Sequence, residues 1–317
     1  MHDLSKPSLV EALGLRPLRE RLRQALVALR GAEDVPPSLF GPSSLRLLAP
    51  RLALPLWAGR FVVPRHAIVT NLFNHRQTPA EAGWSVRRTQ TEDFRGRHLT
   101  YDSHNGTDFS IPVGTPVVAP APGVVARVFA EYNRGGLKLC IDHGDGLMTC
   151  AAHLARALVR EGDRVRRGEL VAVSGYSGLD ALVTFPFGVP HVHFNVWLDG
   201  VPVDPFARAG ETSLWLEGTP RPAPVRPADE PFAPSRYDAE RVAAIVASCV
   251  TPSVRARLAA LEPLERRAAH LVAERCYYPT RFGSHASPYA AAHARAPRLS
   301  MPFGADRFDG AVLADER

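Results

Sequence analysis

Between residues 99 and 210, this chain of 317 residues is made of short apolar runs separated by glycine turns. Two of them, "TPVVAPAPGVVARVF" and "ELVAVSG", show the pattern well, because valine recurs in both and glycine or proline interrupts or ends both. β-Branched residues in such short runs favour strands, whereas a helix needs a longer stretch with a period near 3.6 residues. We therefore expect a mainly β domain over 99–210, an antiparallel sandwich or barrel.

The segments on either side of this β domain have a helical pattern instead. Leucines recur at helical spacing near the N-terminus, and after a proline-rich stretch apolar residues again share helical faces. The predicted fold is therefore α+β overall. Its expected parts are a helical N-terminal segment (1–60), a mixed connecting region (61–98), the β domain (99–210), a Pro-rich linker (211–236) and a helical C-terminal region (237–317).

A stripe of leucines in the N-terminal segment allows two interpretations. Its members share one helical face and have arginines between them: Leu15, Leu18, Leu22, Leu26 and Leu29. Such a face could bind a membrane surface. A helix packed on its own domain is the more common explanation, and we expect that arrangement here.

The formal charge of +6 comes almost entirely from arginines that are dispersed along the chain. No basic patch interleaved with aromatic residues is present, so we expect no nucleic-acid partner. No apolar stretch reaches the about 18 residues that a membrane-spanning helix needs, and the first residues do not resemble a Sec signal. These features predict a soluble protein and leave its location and oligomeric state open.

The four cysteines do not form a disulfide framework in a chain of this length. Cys140 and Cys150 flank the turn "HGDG" almost symmetrically, so they could lie opposite each other on a hairpin. We interpret them as two small apolar strand residues rather than as a disulfide.

Three short motifs carry residues that could bind a metal ion or transfer a proton. His104 and Asp108 are four residues apart, and zinc favours histidine, cysteine and carboxylate ligands. In "PHVHF", His191 and His193 point to the same side of a strand, about 7 Å apart. His153 interrupts small apolar residues at the end of a strand. Each motif alone is more often structural, as a capped turn, an incidental pair or a core histidine.

Taken together, and in this order, the motifs resemble those of the lysostaphin-like, LytM-type zinc metallopeptidases. The resemblance covers residues 101–206, a third of the chain, and includes "HNGTDFSIPVGTPVVAPAPGVV", "IDHGDGLMTCAAHL", "PHVHFNV" and "VDP". It implies a β domain of the duplicated hybrid-motif type. It also implies an endopeptidase that hydrolyses amide bonds through a zinc-bound water, with peptidoglycan cross-bridges or stem peptides as substrate.

The resemblance also implies roles for individual residues. One zinc ion per chain is held by three ligands, while two further histidines orient the attacking water and transfer its proton. The phenol of Tyr101 is a candidate for contacting the oxyanion. His143 matches a recurrent family position, but we interpret it as a strand-end histidine bonded to its turn. The implied ligands are His104, Asp108 and His193, and the implied catalytic histidines are His153 and His191.

Three departures from the family pattern bear on substrate preference. Ala151 stands where the family usually has an aromatic residue, two positions before the second histidine. The apolar insertion "YSGLDALVTFPFGVP" replaces a short link before the H-x-H pair and is expected to border the substrate groove. Asn195 stands where an acidic residue commonly follows that pair.

Other functions remain open at this point. A carrier module of similar β architecture needs a modifiable lysine at a hairpin tip, and Lys138, the only lysine of the β region, lies within a strand run. Two histidines and one carboxylate also form the facial triad of non-haem iron enzymes, but that triad leaves two histidines unexplained. An inactive peptidase homologue acting as an adaptor typically loses ligands, whereas all five polar positions are present here.

Overall fold

A computed structural model describes residues 4–32, 34–39, 41–76, 91–102, 104–223 and 230–316 of the chain. Residues 77–90 of the predicted mixed region and residues 224–229 of the predicted linker lie outside these ranges.

The described strands belong to one sheet of eleven strands. They are β1 (His66–Asn71), β2 (Thr107–Ser110), β3 (Pro116–Val118), β4 (Gly123–Glu131), β5 (Gly136–Asp142), β6 (Leu147–Ala157), β7 (Arg164–Val165), β8 (Leu170–Ser174), β9 (His191–Leu198), β10 (Val201–Pro202) and β11 (Gly310–Leu313). The main path of the sheet is β11-β1-β2-β9-β6-β5-β4-β7. In addition, β10 pairs with β9, β8 with β6, and β3 with β8.

Helices lie before, within and after this sheet. They are α1 (Leu9–Ala12), α2 (Leu18–Arg30), α3 (Pro50–Trp57), α4 (Leu179–Thr184), α5 (Ala239–Ala247), α6 (Pro252–Ala259) and α7 (Leu264–Tyr277), with 3₁₀ turns at Pro42–Leu47, Pro279–Arg281 and Ala314–Glu316. None of the described helices combines the length and apolar character that crossing a membrane requires. The predicted fold class, a mainly β domain accompanied by helices on both sides, is confirmed.

Two elements differ from the expected pattern. The apolar insertion forms the short helix α4, although the β region as a whole predicted strands and turns. Near the C-terminus, where a helical region was expected, β11 pairs with β1 in parallel, while the other described pairings between these strands are antiparallel. A strand with only one neighbour exposes unpaired N–H and C=O groups, and β11 pairs with those along the outer edge of β1.

Strand β9 shows why the sequence folds in this way around the site. Its side chains alternate, and Val192, Phe194 and Val196 enter the main apolar core, where they are almost fully buried. Because successive side chains on a strand point to opposite faces, His191 and His193 are on the other face. Burial of the apolar face therefore determines which face of β9 carries the histidines.

A second apolar layer lies between the sheet and the C-terminal helix α7. Trp197 of β9 and Met148 of β6 pack there against Val272 and other apolar residues of α7. Cys140 and Cys150 are directly opposite each other in the β5–β6 pair, as the hairpin prediction allowed. Both are free, fully buried thiols, and their sulfur atoms are 2.8 Å apart.

A buried ion-pair cluster ties α7 to the sheet. Glu274 of α7 is 1% exposed and accepts hydrogen bonds from Arg127 of β4, at 3.2 Å, and from Arg257 of α6, at 2.6 Å. Arg281 completes the cluster. Because Arg127 is itself buried, its charge depends on this carboxylate for compensation.

We expect Glu274→Ala to lower the free energy of unfolding by about 3 kcal/mol, since it removes the carboxylate to which the buried Arg127 is hydrogen-bonded. Urea titration followed by tryptophan fluorescence measures the change. Glu265→Ala is the matched control, because Glu265 lies on the same helix but is exposed, and we expect it to change stability by less than about 0.5 kcal/mol. Equal effects of the two substitutions would show that the cluster does not stabilise the fold.

His143 is a buried histidine next to the β5–β6 turn. Its Nδ1 donates to the carbonyl of Pro122, at 2.9 Å, and its Nε2 is 2.8 Å from the hydroxyl of Thr149. Burial, which disfavours the charged imidazolium, lowers the pKa of His143 to about 3. This fits the structural interpretation of His143 as a residue bonded to its turn.

The pKa of His143 is lower in the folded state than in the unfolded state, where it is about 6.5. Its neutral form therefore contributes stability above about pH 6.5, and this contribution is lost as the pH falls from there toward 3. We expect His143→Asn to be less stable than the wild type at neutral pH but to lose less stability between about pH 7.5 and pH 5. Urea titrations at both pH values test this, and parallel losses in the two proteins would contradict it.

Candidate metal centre

The pairing of β2 with β9 brings the three predicted ligands together. Asp108 and His193 are directly opposite each other in this antiparallel pair, and His104 lies three residues before β2. One carboxylate oxygen of Asp108, Oδ1, is 2.8 Å from Nδ1 of His193 and 3.1 Å from Nε2 of His104. One donor atom from each residue lies within 4.8 Å of the other two, and all three residues are buried.

Strand β1 and the segment after it hold two of these residues in place. The side-chain amide of Asn71 donates to the second oxygen of Asp108, Oδ2, at 2.8 Å. Nδ1 of His104 donates to the carbonyl of Leu72, at 2.7 Å. The ring orientation of His104 and the plane of the Asp108 carboxylate are therefore set by groups that are not themselves candidate ligands.

The atoms in this cluster need a positive charge between them. Because Nδ1 of His104 carries the proton donated to Leu72, a neutral His104 presents the lone pair of Nε2 to the Asp108 carboxylate. That Nε2 is buried and has no hydrogen-bond partner among the described residues. A proton on His104 or a metal ion satisfies both groups, and two histidines with one carboxylate are a typical zinc ligand set.

The pKa values in the cluster express the same balance of charge. Burial alone raises the pKa of Asp108, but the adjacent His104 and His191 outweigh burial and hold that pKa well below its usual value. Burial likewise lowers the pKa of His104, and the Asp108 carboxylate outweighs it and raises that pKa. The carboxylate therefore stays ionised at neutral pH.

His153 and His191, the two predicted catalytic histidines, lie side by side next to this cluster. Their ring centroids are 4.7 Å apart, and Nε2 of His191 is 3.5 Å from Oδ1 of Asp108. Each ring donates its Nδ1 proton to a backbone carbonyl, His153 to Ser177 at 2.7 Å and His191 to Val189 at 2.8 Å. In the neutral form both therefore have an unprotonated Nε2 that can accept a proton.

The environment of His153 keeps it neutral and well positioned. Burial, followed by the neighbouring His191, holds the pKa of His153 well below its usual value. Its backbone has a φ of 60°, in the left-handed region that non-glycine residues seldom occupy. A hydrogen bond from its N–H to the carbonyl of Gly135, at 2.8 Å, helps to hold this strained conformation.

Around the histidines lie one predicted residue and two that the motifs did not identify. The ring of Tyr101 is 4.7 Å from that of His104, so this phenol is adjacent to the cluster. From the apolar insertion, the ring of Tyr176 is 5.5 Å from that of His153 and 5.0 Å from that of His191. Oδ2 of Asp180, also in the insertion, is 4.0 Å from Nε2 of His153. The only signal for these two residues was the insertion itself.

The C-terminal helix also reaches the site. The side-chain amide of Asn195, which replaces the acidic residue common in the family, is 3.0 Å from Nε2 of His193. The hydroxyl of Tyr277, the last residue of α7, donates to the amide oxygen of Asn195 at 2.9 Å. Nothing in the sequence pointed to Tyr277, because it is 82 residues away from Asn195 along the chain.

Comparison with known proteins covers the same part of the chain. The family model for Peptidase family M23 matches residues 102–205. The peptidoglycan DD-endopeptidase ShyA of Vibrio cholerae is 39% identical over 131 residues, which are 40% of this chain and 28% of that protein. A metalloprotease of Haemophilus influenzae, itself uncharacterised, is 36% identical over 102 residues, which are 32% of this chain and 20% of that protein.

A crystal structure of a zinc-containing peptidase from Vibrio cholerae is 30% identical in sequence, with a TM-score of 0.32. The matched region covers 44% of this chain and 38% of the chain in that structure. This chain spans less than a third of the length of either curated relative. The family match and the identities of the relatives agree with the resemblance predicted from the motifs, and residues 102–205 are a domain of the M23, LytM-type peptidase family.

Proposed function

We propose that this chain is a zinc-dependent endopeptidase that hydrolyses amide bonds in peptidoglycan, within cross-bridges or stem peptides. The observation that carries the proposal is that one donor atom from each of His104, Asp108 and His193 lies within 4.8 Å of the other two, with all three residues buried. The name of ShyA, a peptidoglycan DD-endopeptidase, supports the substrate class.

The donor set suits zinc, and His104, Asp108 and His193 are the residues that would hold it. A zinc ion bound there supplies a Lewis acid that activates water at neutral pH and polarises the scissile carbonyl. Two neutral imidazoles and one carboxylate leave such an ion with a net charge near +1, so its Lewis acidity is preserved.

The proton transfers of the reaction belong to His153 and His191. Hydrolysis removes one proton from the attacking water and delivers one to the leaving amine as the C–N bond breaks. Both histidines have an unprotonated Nε2, because their Nδ1 protons are donated to backbone carbonyls. Asp180, 4.0 Å from Nε2 of His153, stabilises the imidazolium that forms there during the reaction. The hydroxyl of Tyr101 is assigned to the oxyanion.

The carrier-module alternative lacks the residue it needs. Such a module must present a lysine to a modifying enzyme, and Lys138 is fully buried in β5. Its ammonium donates to Glu131 at 3.0 Å and lies 4.3 Å from the ring centroid of Tyr277. An inactive homologue remains the alternative that activity measurements test.

We expect purified protein loaded with zinc to release new amino termini from isolated peptidoglycan, because an amide bond is cut. Labelling of free amines, with mass analysis of the soluble fragments, measures this release. A chelator should abolish the release, and added zinc should restore it. Release of new reducing sugar ends, or no release from a protein that holds one zinc per chain, would contradict the proposed activity.

Substitutions of a zinc ligand and of the two catalytic histidines should have different effects on metal binding and on catalysis. Asp108→Asn should weaken zinc binding by about a hundredfold or more, because it removes an anionic ligand while keeping the side-chain volume. His153→Ala and His191→Ala should retain zinc and lose about 10² to 10⁴ in kcat/KM. Competition with a chromophoric chelator measures affinity, and peptide cleavage measures kcat/KM.

The matched control for these variants is His143→Asn, which alters a buried histidine bonded to Pro122 and Thr149. It should retain both zinc affinity and kcat/KM in the folded protein at neutral pH. Loss of zinc from His153→Ala or His191→Ala would show that those residues are ligands and would overturn the assignment.

A further inference from the structure

The leucine stripe of the N-terminal segment faces away from the protein. Leu18, Leu22, Leu26 and Leu29 of α2 are 61%, 58%, 50% and 57% exposed. Residues three, four and seven apart lie on one face of a helix, so these leucines form a continuous apolar row along α2. The expected packing of this stripe on its own domain is therefore wrong for these four residues.

A different face of α2 attaches the helix to the domain. Ala28 is buried in a small cluster with Tyr132 and with Leu179 of α4. The side chain of Gln24 accepts a hydrogen bond from the backbone N–H of Tyr132, at 2.7 Å. Arg21 donates to the carbonyl of Ala130 in β4, at 3.5 Å. The leucine row is thus not needed to hold α2 in place and is available to contact something else.

A row of arginines runs beside the leucine row. Arg19, Arg23 and Arg30 each follow one of the leucines directly, and all three are exposed. One residue corresponds to about 100° around a helix, so the guanidinium groups flank the apolar row on one side. Arg23 pairs with Glu20 at 2.7 Å. In the part of the chain that the structure describes, Arg19 and Arg30 have no acidic partner.

Neighbouring elements also expose apolar side chains. Helix α4 contacts α2 through Leu179, and its exposed residues include Leu182 and Val183. After α4, the exposed ring of Phe185 lies against Trp57 of α3, with ring centroids 5.1 Å apart. Exposed apolar side chains thus occur on α2, on α4 and directly after α4.

We propose that α2 docks on an anionic lipid surface, with the leucine row at the boundary of headgroups and acyl chains and Arg19, Arg23 and Arg30 on lipid phosphates. An apolar row flanked by cations is the arrangement that interfacial helices use on such membranes. A second copy of the chain fits this face less well, because it would present the same three arginines, and Glu20, the acidic residue of α2, already pairs with Arg23. The docking leaves the peptidase domain on the water side, attached through the Ala28 face of α2.

Vesicle co-sedimentation of the full chain tests this proposal independently of peptidase activity. The vesicles are phosphatidylcholine alone and phosphatidylcholine partly replaced by phosphatidylglycerol. We expect binding to the anionic vesicles and much weaker binding to the neutral ones, with a loss of binding as salt concentration rises. Arg19→Gln and Arg30→Gln should each lower the partition coefficient by roughly fivefold.

Leu22→Ser combined with Leu26→Ser should lower the partition coefficient by about tenfold or more, because the row loses its two central apolar side chains. Both leucines are exposed, so the variant should unfold at the same urea concentration as the wild type. Leu216→Ser is the matched control, since Leu216 is also exposed but lies outside α2, and it should bind vesicles like the wild type.

Three results would overturn the proposal. One is equal binding to neutral and anionic vesicles, and another is unchanged binding by the double leucine variant. The third is a wild type that does not bind vesicles but forms a dimer in light scattering, together with a double leucine variant that is monomeric. That last outcome would identify the leucine row as a contact between two copies of the chain.

Discussion

The antiparallel pairing of β2 with β9 is the constraint on which the rest of the site depends. It places Asp108 directly opposite His193, and the two-residue period of β9 puts His191 on the same face. The register is held by burial, because Val192, Phe194 and Val196 fill the core from the other face. A slip of one residue would move the histidines into the core and the apolar side chains into the site, so packing and chemistry specify the same register.

Around that pairing, several polar groups of the site are held by parts of the chain distant in sequence. Asn71 of β1 fixes Asp108, the carbonyl of Leu72 fixes His104, and the carbonyl of Ser177 fixes His153. The C-terminal helix contributes through Tyr277, which donates to Asn195 of β9, and the amide of Asn195 lies next to His193. A buried carboxylate among histidines is costly unless its partners are in place, and these hydrogen bonds from other parts of the chain hold those partners.

The helical segments differ in how they meet the sheet and the solvent. On one face of the sheet, α7 is tied down by Glu274 and its arginines and completes the apolar layer. Beside the site, α2 and α4 expose apolar side chains. The insertion that contains α4 also supplies Tyr176 and Asp180, so the same segment borders the site and exposes apolar side chains.

The sequence by itself determined that residues 99–210 form a mainly β domain, that this domain resembles the LytM-type peptidases, and which residues could form a zinc site. The β domain could be predicted because strand periodicity is local, and the spacing of His191 and His193 places both on one face of a strand. The zinc ligand set followed from the resemblance of the motifs to those of known peptidases. Only the tertiary structure brought His104, Asp108 and His193 to one point, and only it added Tyr277 and Asp180. It also decided that the leucines of α2 face outward. Helical periodicity shows that an apolar stripe exists. Whether another part of the protein covers that stripe depends on contacts between residues far apart in the chain.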